Sequence, residues 1–269
     1  MSGPPSGPEG AIGVFDSGVG GLTVVEALER RLPGESIVYL GDTARLPYGS
    51  KSEETVTSYT RKNVAFLREQ GVKAVVVACN TASALALPHL DLDVPVWGVV
   101  GPGARRAAAA TSGRVGILAT ESTVRSDAYG KALRELVPGV EVLSRACPLF
   151  VPLVEEGWHD DPVTEQVARR YLAPLLSARV DTLVLGCTHY PMLRPLLARV
   201  AGPAVTLVDS AASVAEEVAR DLDAAGLAAP PGASPSHRLF VTDASASFAT
   251  FARRILGDGA VELEWVEVT

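Results

Sequence analysis

Two segments of the sequence share one design, in which an apolar run ends in a cysteine that a polar residue follows. Residues 75–81 read VVVACNT and residues 183–189 read LVLGCTH. Such runs are typical of buried parallel strands, whose carboxyl ends face the crevice where α/β proteins bind ligands. The pattern predicts that Cys79 and Cys187 meet at one cleft, where two thiols can act as acid and base on opposite faces of one carbon atom.

Each of these cysteines precedes a segment that we expect to begin a helix. The partial positive charge of a helix N-terminus lowers the pKa of a nearby thiol and favours the thiolate. The alternative is that each cysteine is a small apolar residue of a buried strand. The matching contexts of Cys79 and Cys187 make that alternative the weaker one. Cys147 has no such context, so we interpret it as structural.

A glycine-rich turn, DSGVGGL, follows the first predicted strand at residues 16–22. A dinucleotide site is disfavoured, because the third glycine of a GxGxxG pattern would fall at Thr23. We expect the backbone N–H groups of this turn and the hydroxyl of Ser17 to meet an anionic ligand such as a carboxylate. Asp16 would then serve as a base or as the partner of an ammonium group, and capping of the next helix is its alternative role.

Three further positions can carry chemistry. The loop at residues 41–50 contains Tyr48 and Gly49, whose phenol and N–H suit a carboxylate, although an ordinary structured loop is the alternative. His189 can protonate or orient the second thiol, or it can cap a helix. Glu155, or the glutamate after it, can pair with the same thiol or lie on a solvated helix end.

The composition excludes several classes of protein. The net charge is −7 over 269 residues, and no basic run compensates for it, so we expect no nucleic-acid partner. No apolar stretch reaches the roughly 18 residues that span a bilayer, so we expect no membrane partner. Residues 1–10 form a Gly/Pro/Ser-rich tail, expected to be flexible and unlike a signal peptide, which predicts a cytoplasmic protein. Three widely spaced cysteines without a CxxC pair predict neither disulfides nor a zinc site.

Strand and helix patterns alternate along the chain, which predicts βαβ units and an α/β fold with mainly parallel sheets. The predicted strands are residues 12–15, 37–40, 74–78, 96–99, 115–118, 140–143, 182–185, 205–208 and 239–241. The predicted helices include residues 22–32, 53–69, 123–136, 163–176 and 212–225.

The two halves of the chain resemble each other beyond their cysteines. Residues 12–17 (IGVFDS) and 115–120 (VGILAT) each read as a strand followed by a small polar residue. We therefore expect two similar lobes, each a mainly parallel sheet flanked by helices, with the active site in the cleft between them. We assign residues 1–99 and 210–269 to the first lobe and residues 100–209 to the second, because a separate 60-residue domain would be small.

Five motifs together resemble the glutamate racemases of bacterial cell-wall synthesis, in the aspartate/glutamate racemase superfamily. They are Asp16-Ser17-Gly18, Pro47-Tyr48-Gly49, Cys79-Asn80-Thr81-Ala82-Ser83, Pro152-Leu153-Val154-Glu155 and Cys187-Thr188-His189-Tyr190-Pro191. The two cysteine motifs alone would indicate only the wider superfamily. The resemblance implies a cofactor-independent racemase that interconverts L-glutamate and D-glutamate and supplies D-glutamate for peptidoglycan.

The resemblance also implies a role for each site residue. Cys79 and Cys187 are then the paired proton donor and acceptor, with Cys79 acting on D-glutamate and Cys187 on L-glutamate. Asp16 assists the first thiol, and Glu155 with His189 assists the second. The implied substrate-binding residues are Asp16, Ser17, Tyr48, Gly49, Asn80, Thr81, Thr188 and His189, with Thr120 and Thr123 as additions. The resemblance implies no metal and no cofactor, glutamate as the small-molecule partner, and a homodimer.

Three other functions stay open from the sequence. One is another racemase or a decarboxylase of the superfamily, acting on aspartate, a hydantoin or an arylmalonate. A cysteine hydrolase would use Cys187 as nucleophile and His189 as base, but a histidine two residues away is poorly placed for that role and the second matched cysteine would be superfluous. A non-catalytic amino-acid-binding protein would bind glutamate without exchanging its α-proton.

Overall fold

The computed structural model describes residues 7, 9–244, 246–257 and 263–269, without the side chains of residues 246 and 247. Residues 1–6 and 8 of the tail that we predict to be flexible lie outside the described residues. The strands of the described ranges are β1 (Ile12–Asp16), β2 (Ile37–Gly41), β3 (Ala74–Val77), β4 (Val96–Gly98), β5 (Arg114–Ala119), β6 (Glu141–Ala146), β7 (Thr182–Gly186), β8 (Thr206–Asp209), β9 (His237–Val241) and β10 (Leu263–Trp265).

These strands form two sheets in which each neighbouring pair is parallel. The first sheet has the order β10-β9-β2-β1-β3-β4, and the second has the order β6-β5-β7-β8. Every residue of β1, β2, β3 and β7 is buried, as the apolar runs predict for parallel strands covered on both faces. The predicted α/β class with two parallel sheets flanked by helices is confirmed.

The helices connect successive strands and cover both sheets. In chain order they are α1 (Leu22–Arg31), α2 (Glu53–Glu69), α3 (Asn80–Leu85), α4 (Val100–Ala110), α5 (Glu121–Ser126), α6 (Ala128–Leu136), α7 (Phe150–Glu155), α8 (Pro162–Ser177), α9 (Arg194–Ala201), α10 (Ser210–Ala224) and α11 (Ala246–Leu256). No helix of the described ranges has the length and apolar composition that crossing a membrane requires.

Polar side chains determine where several helices begin. The hydroxyl of Ser52 accepts a hydrogen bond from the N–H of Thr55 at the start of α2, and Asp161 caps α8 in the same way, where Pro162 occupies the first helical position. Such caps satisfy N–H groups that have no partner inside the helix. Asp209, the last residue of β8, caps α10.

Apart from shifts of one or two residues at the ends of other elements, the structure differs from the sequence prediction at three places. The predicted helix at residues 123–136 is two helices, because Asp127 adopts a left-handed conformation with φ of 55° between α5 and α6. Strand β6 extends to Ala146, three residues beyond the prediction. Strand β10, which the sequence did not predict, adds an edge to the first sheet by pairing with β9.

The topology brings the polar strand ends together. Strands β1 and β3 are neighbours in the first sheet, so Asp16 and Cys79 lie at the same carboxyl edge. Strands β5 and β7 are neighbours in the second sheet, so Thr120 and Cys187 share the corresponding edge there. Residues from both edges line one cavity.

Candidate active site

A cavity of about 430 Å³ lies between the carboxyl edges of the two sheets. Its wall combines residues that follow β1, β2 and β3 with residues that follow β5, β6 and β7. The predicted site residues that line it are Ser17, Tyr48, Gly49, Cys79, Asn80, Thr81, Thr120, Glu155, Cys187, Thr188 and His189. Asp16 and Thr123 lie behind this wall and contact residues that form it.

Cys79 lies at the start of α3 and is only 5% exposed. Its thiol donates a hydrogen bond to the hydroxyl of Ser17, with a sulfur–oxygen distance of 3.5 Å. Burial raises the pKa of Cys79 to about 12, and the nearby charge of Asp16 adds to the increase. The N–H of Ala82 in the first turn of α3 lowers this pKa, as expected for a helix N-terminus, but burial outweighs it and the net shift is upward.

Cys187 belongs to a chain of three side chains that can carry a proton. Its sulfur lies 3.9 Å from Nδ1 of His189, and Nε2 of His189 lies 3.0 Å from a carboxylate oxygen of Glu155. Burial by itself would lower the pKa of His189, but the hydrogen bonds and charges of Cys187 and Glu155 outweigh it and raise this pKa to about 10. The imidazole is thus cationic at neutral pH, held between a thiol and a carboxylate.

Asp16 is completely buried between the two halves of the site. One carboxylate oxygen accepts a hydrogen bond from the N–H of Gly18 at 3.0 Å, and the other accepts one from the hydroxyl of Thr188 at 3.3 Å. Burial raises the pKa of Asp16, partly offset by the positive charge of His189. The hydrogen bond from Thr188 therefore connects Asp16 to the turn that carries the second thiol, while Ser17 supplies the contact with Cys79.

Three threonine hydroxyls from both sheets meet at one side of the cavity. The hydroxyl of Thr81 lies 3.0 Å from that of Thr120 and 3.3 Å from that of Thr123, and the last two are 3.0 Å apart. Each hydroxyl both donates and accepts, so the group can turn its hydrogens toward an anionic ligand.

A second set of contacts crosses between the halves behind Asn80. The hydroxyl of Tyr129 donates to the side-chain oxygen of Asn80 at 2.7 Å, and the amide nitrogen of Asn80 lies 3.5 Å from the hydroxyl of Ser210. Asn80 follows Cys79 directly, so this network holds the first turn of α3 against the second half of the chain.

Two residues that the sequence analysis did not select organise the loop of residues 41–50. The hydroxyl of Tyr48 donates to the carboxylate of Asp42 and accepts from the amide of Asn63 at 3.1 Å. The phenol of Tyr48, which we expected to face a carboxylate ligand, is therefore engaged inside the protein. The signal for Asp42 is its position directly after β2, at the same carboxyl edge as Asp16.

Gly49 completes the loop by close packing. A side chain on Gly49 would lie 2.8 Å from Cβ of Thr120, which is too close for any carbon atom. Apolar residues also line the cavity: Leu46, Pro148, Val151 and Pro152. Of these, only Pro152 belongs to a motif that the sequence analysis identified.

Cys147 is buried and has no place in the cavity wall. Its carbonyl oxygen accepts a hydrogen bond from Tyr190, and burial raises the pKa of its thiol. Within the described part of the chain, no group of three His, Cys, Asp or Glu side chains is arranged to hold a metal ion.

The geometry also corrects one reason given against a hydrolase. A histidine two residues beyond the cysteine does contact it, because the chain turns between Cys187 and His189 and brings the ring back toward the sulfur. The side chains of Cys187, His189 and Glu155 thus contact one another in that order, as those of a nucleophilic triad do. The second buried thiol across the same cavity, Cys79, has no role in such a triad.

Comparison with known proteins identifies the family. The family model described as Asp/Glu/Hydantoin racemase matches residues 12–218. A glutamate racemase of Geobacter metallireducens is 54% identical over 253 residues, which are 93% of this chain and 94% of that protein.

Solved structures agree over nearly the whole length. The crystal structure of a glutamate racemase from Bacillus anthracis has a TM-score of 0.92 at 42% identity, covering 96% of this chain and 98% of that one. A glutamate racemase of Francisella tularensis in complex with D-glutamate has a TM-score of 0.91 at 35% identity, with coverages of 97% and 98%. The chain belongs to the Asp/Glu/hydantoin racemase family.

Proposed function

We propose that this protein is a glutamate racemase, which interconverts L-glutamate and D-glutamate with two cysteine thiols and without a cofactor. The observation that carries the proposal is the pair of buried thiols, Cys79 and Cys187, on the walls that the two sheets contribute to one cavity. Relatives named glutamate racemase, at 54% identity and lower, support glutamate as the substrate.

Racemisation needs acid and base groups on both faces of the α-carbon. A thiolate on one side removes the α-proton, and the planar carbanion that remains takes a proton from the thiol on the other side. For the other enantiomer the two groups exchange roles. Two fixed thiols do this without any group crossing the plane of the carbanion.

The two thiols differ in their electrostatic surroundings. His189, cationic at neutral pH and 3.9 Å from the sulfur of Cys187, stabilises the negative charge that develops there when the proton leaves. Glu155 holds His189 in place. Cys79 has the raised pKa of a buried thiol beside a carboxylate, so the free protein holds its proton on Cys79. On the family resemblance we propose that Cys187 deprotonates L-glutamate and that Cys79 deprotonates D-glutamate.

Polar groups of the wall are suited to the substrate's carboxylates and its ammonium group. The hydroxyls of Thr81, Thr120 and Thr188 would hold carboxylate oxygens, and Thr123, behind the wall, would orient the first two through its hydrogen bonds. Ser17 and Asp16 lie beside Cys79 and Thr188, where an ammonium group would neutralise the buried carboxylate. Such pairing would also reduce the repulsion between Asp16 and the thiolate of Cys79.

The triad-like chain of Cys187, His189 and Glu155 supports a second candidate, a cysteine hydrolase. This candidate predicts a covalent acyl-enzyme on Cys187 and no requirement for Cys79. Intact-protein mass spectrometry after incubation with glutamine or glutamyl esters would detect the adduct, and we expect none.

The division into lobes is part of the proposal. We propose that residues 1–99 with 210–269 form one lobe and residues 100–209 the other. Support comes from β9 and β10, which pair on the sheet of β1 to β4, and from α10, which packs against α1. On the family resemblance we also propose a cytoplasmic homodimer that supplies D-glutamate for peptidoglycan. Light scattering coupled to size-exclusion chromatography tests the dimer.

Proton exchange in D₂O tests the function. Each enantiomer of glutamate and of aspartate is incubated with the protein, and α-deuteration is followed by NMR while optical rotation is followed in parallel. We expect glutamate to lose its rotation and gain deuterium, and aspartate to do neither. The Cys79→Ser and Cys187→Ser variants should each lose racemisation. Full racemisation by either variant would refute the two-thiol mechanism.

A further inference from the structure

The glycine-rich turn between β1 and α1 packs against the turn that carries Cys187. A methyl group built on Gly20 would lie 2.5 Å from Nδ1 of His189 and 2.5 Å from the hydroxyl of Thr188. Both neighbours are 5% exposed, so neither can move aside freely. Gly20 lies outside the left-handed region of backbone conformation, so glycine is required there for space.

Thr23 fastens the same two turns by a hydrogen bond. Its hydroxyl lies 3.1 Å from the carbonyl oxygen of Thr188 and 2.9 Å from that of Gly20. Thr23 is 7% exposed, lies in the first turn of α1 and does not line the catalytic cavity. One hydroxyl of the first half thus touches the backbone between Cys187 and His189.

We infer that Gly20 and Thr23 are positioning residues for the acid/base group formed by Cys187 and His189. The inference rests on the proposed racemase function and assigns the glycine-rich turn a task other than ligand binding. Gly20 acts as a surface against which the ring of His189 rests, and Thr23 fixes the backbone that carries it. Neither residue has a described contact with Cys79, so their loss should impair one thiol of the two.

The ring of His189 has little freedom to move without cost. It must stay within reach of Cys187 on one side, at 3.9 Å, and of Glu155 on the other, at 3.0 Å. A displacement of about 1 Å at a reacting group can cost about 100-fold in rate. A methyl group at position 20 would demand a shift of about that size.

A defect that is confined to one of the two thiols cannot be recognised from steady-state rates. The two enantiomers of glutamate have equal free energy, so any variant must lose the same factor of kcat/KM in both directions. Deuterium exchange does distinguish the thiols. When one thiol fails to deliver its proton, the thiol that removed the α-proton can exchange it for deuterium from the solvent and return a deuteron to the same face of the carbanion. The starting enantiomer then gains deuterium without inversion.

The test measures α-deuteration and inversion in variants of Gly20 and Thr23 and in their controls. The two cysteine variants show which enantiomer reports on which thiol. Cys187→Ser should show excess exchange over inversion with one enantiomer, and Cys79→Ser with the other. Gly20→Ala should lower kcat/KM by about 10- to 100-fold, and Thr23→Val by about 2- to 10-fold, the range expected for one neutral hydrogen bond. Both should show excess exchange with the same enantiomer as Cys187→Ser.

Two matched controls separate positioning from loss of structure. Thr23→Ser keeps the hydroxyl and should restore the exchange pattern of the wild type. Gly34→Ala makes the same chemical change as Gly20→Ala at a position where the new carbon has no neighbour nearer than 3.8 Å, and it should be fully active. Because valine has nearly the shape of threonine, the Thr23 pair carries the test if Gly20→Ala does not fold.

Three results would overturn the inference. The first is wild-type activity in both Gly20→Ala and Thr23→Val. The second is that these variants show equal excess exchange with both enantiomers, and the third is that they show excess exchange with the same enantiomer as Cys79→Ser. If the wild type exchanges no α-proton of glutamate, the proposed function itself is wrong, which is a different result from any of these three.

Discussion

Cys79 and Cys187, the thiols that we propose as acid and base, are equally buried but have opposite electrostatic surroundings, which predicts unequal reactivity. Cys79 is 5% exposed and Cys187 is 6% exposed. Cys79 has the buried carboxylate of Asp16 nearby, whereas the ring of His189, cationic at neutral pH, lies 3.9 Å from Cys187. We therefore expect iodoacetamide to alkylate Cys187 before Cys79 at pH 8.

The magnitude follows from the ionisation of Cys79. With a pKa of about 12, only about one molecule in 10⁴ carries the thiolate at pH 8, against roughly one in four for a free cysteine. The thiolate is the reactive form, so ionisation alone slows Cys79 about a thousandfold. The charge of Asp16 is the second cause of the raised pKa, and we therefore expect Asp16→Asn to accelerate the labelling of Cys79.

Peptide mass spectrometry after timed labelling measures each cysteine separately. Asp16→Asn should increase the labelling rate of Cys79. His189→Asn should decrease the labelling rate of Cys187 and leave that of Cys79 unchanged. Urea-unfolded protein supplies the reference rate for each peptide. If Cys79 is labelled as fast as Cys187 in the folded wild type, or if Asp16→Asn leaves Cys79 unchanged, the electrostatic assignment of the two thiols is wrong.

Three further predictions concern stability. The pKa of His189 is about 10 in the folded protein against an ordinary 6.5, so its contribution is complete below pH 6.5 and is lost as the pH rises to 10. Urea unfolding should show a decline of at most about 1.4 kcal/mol per pH unit, and His189→Asn should remove it. Lys73→Met leaves the buried carboxylate of Glu35, 2.6 Å from the lysine, without its cation and should cost about 3–5 kcal/mol in urea unfolding; unchanged stability would contradict this. Tyr129→Phe removes the donor to Asn80 and should cost about 1–3 kcal/mol, seen as a lower Tm, whereas the same change at the partly buried Tyr59 should not.

The parts of the fold that depend on local sequence could be predicted. The apolar runs of β3 and β7 identify buried parallel strands because both faces of each strand are covered. The sequence analysis missed the break at Asp127, although serine and aspartate, which stand at residues 126 and 127, favour helix ends and caps. Strand β10 is three residues long with a glutamate at its centre, and only its pairing with a distant strand defines it.

In the candidate site, too, some features could be predicted from local sequence and others could not. Strand-end position and residue type were enough to select Cys79, Cys187, Asp16 and His189, and the structure brings all four to one site. The partner of each group was not predictable, because side chains of both halves determine it. Gly20 illustrates the limit: its sequence context suggests a turn, and only the folded chain places the ring of His189 against it.

The order of strands in the first sheet has a consequence for synthesis of the protein. The chain leaves this sheet after β4, builds β5 to β8 of the second sheet, and returns to the first only with β9, which pairs with β2. Until β9 has been synthesised, one edge of the apolar strand β2 therefore has no partner strand, and such an edge is a site for aggregation. At translation rates of about 5–20 residues per second this exposure lasts roughly ten to thirty seconds. The second sheet is complete by Asp209, so the half made later should be the first to finish folding, and a ribosome-associated chaperone would be needed most by the half made earlier.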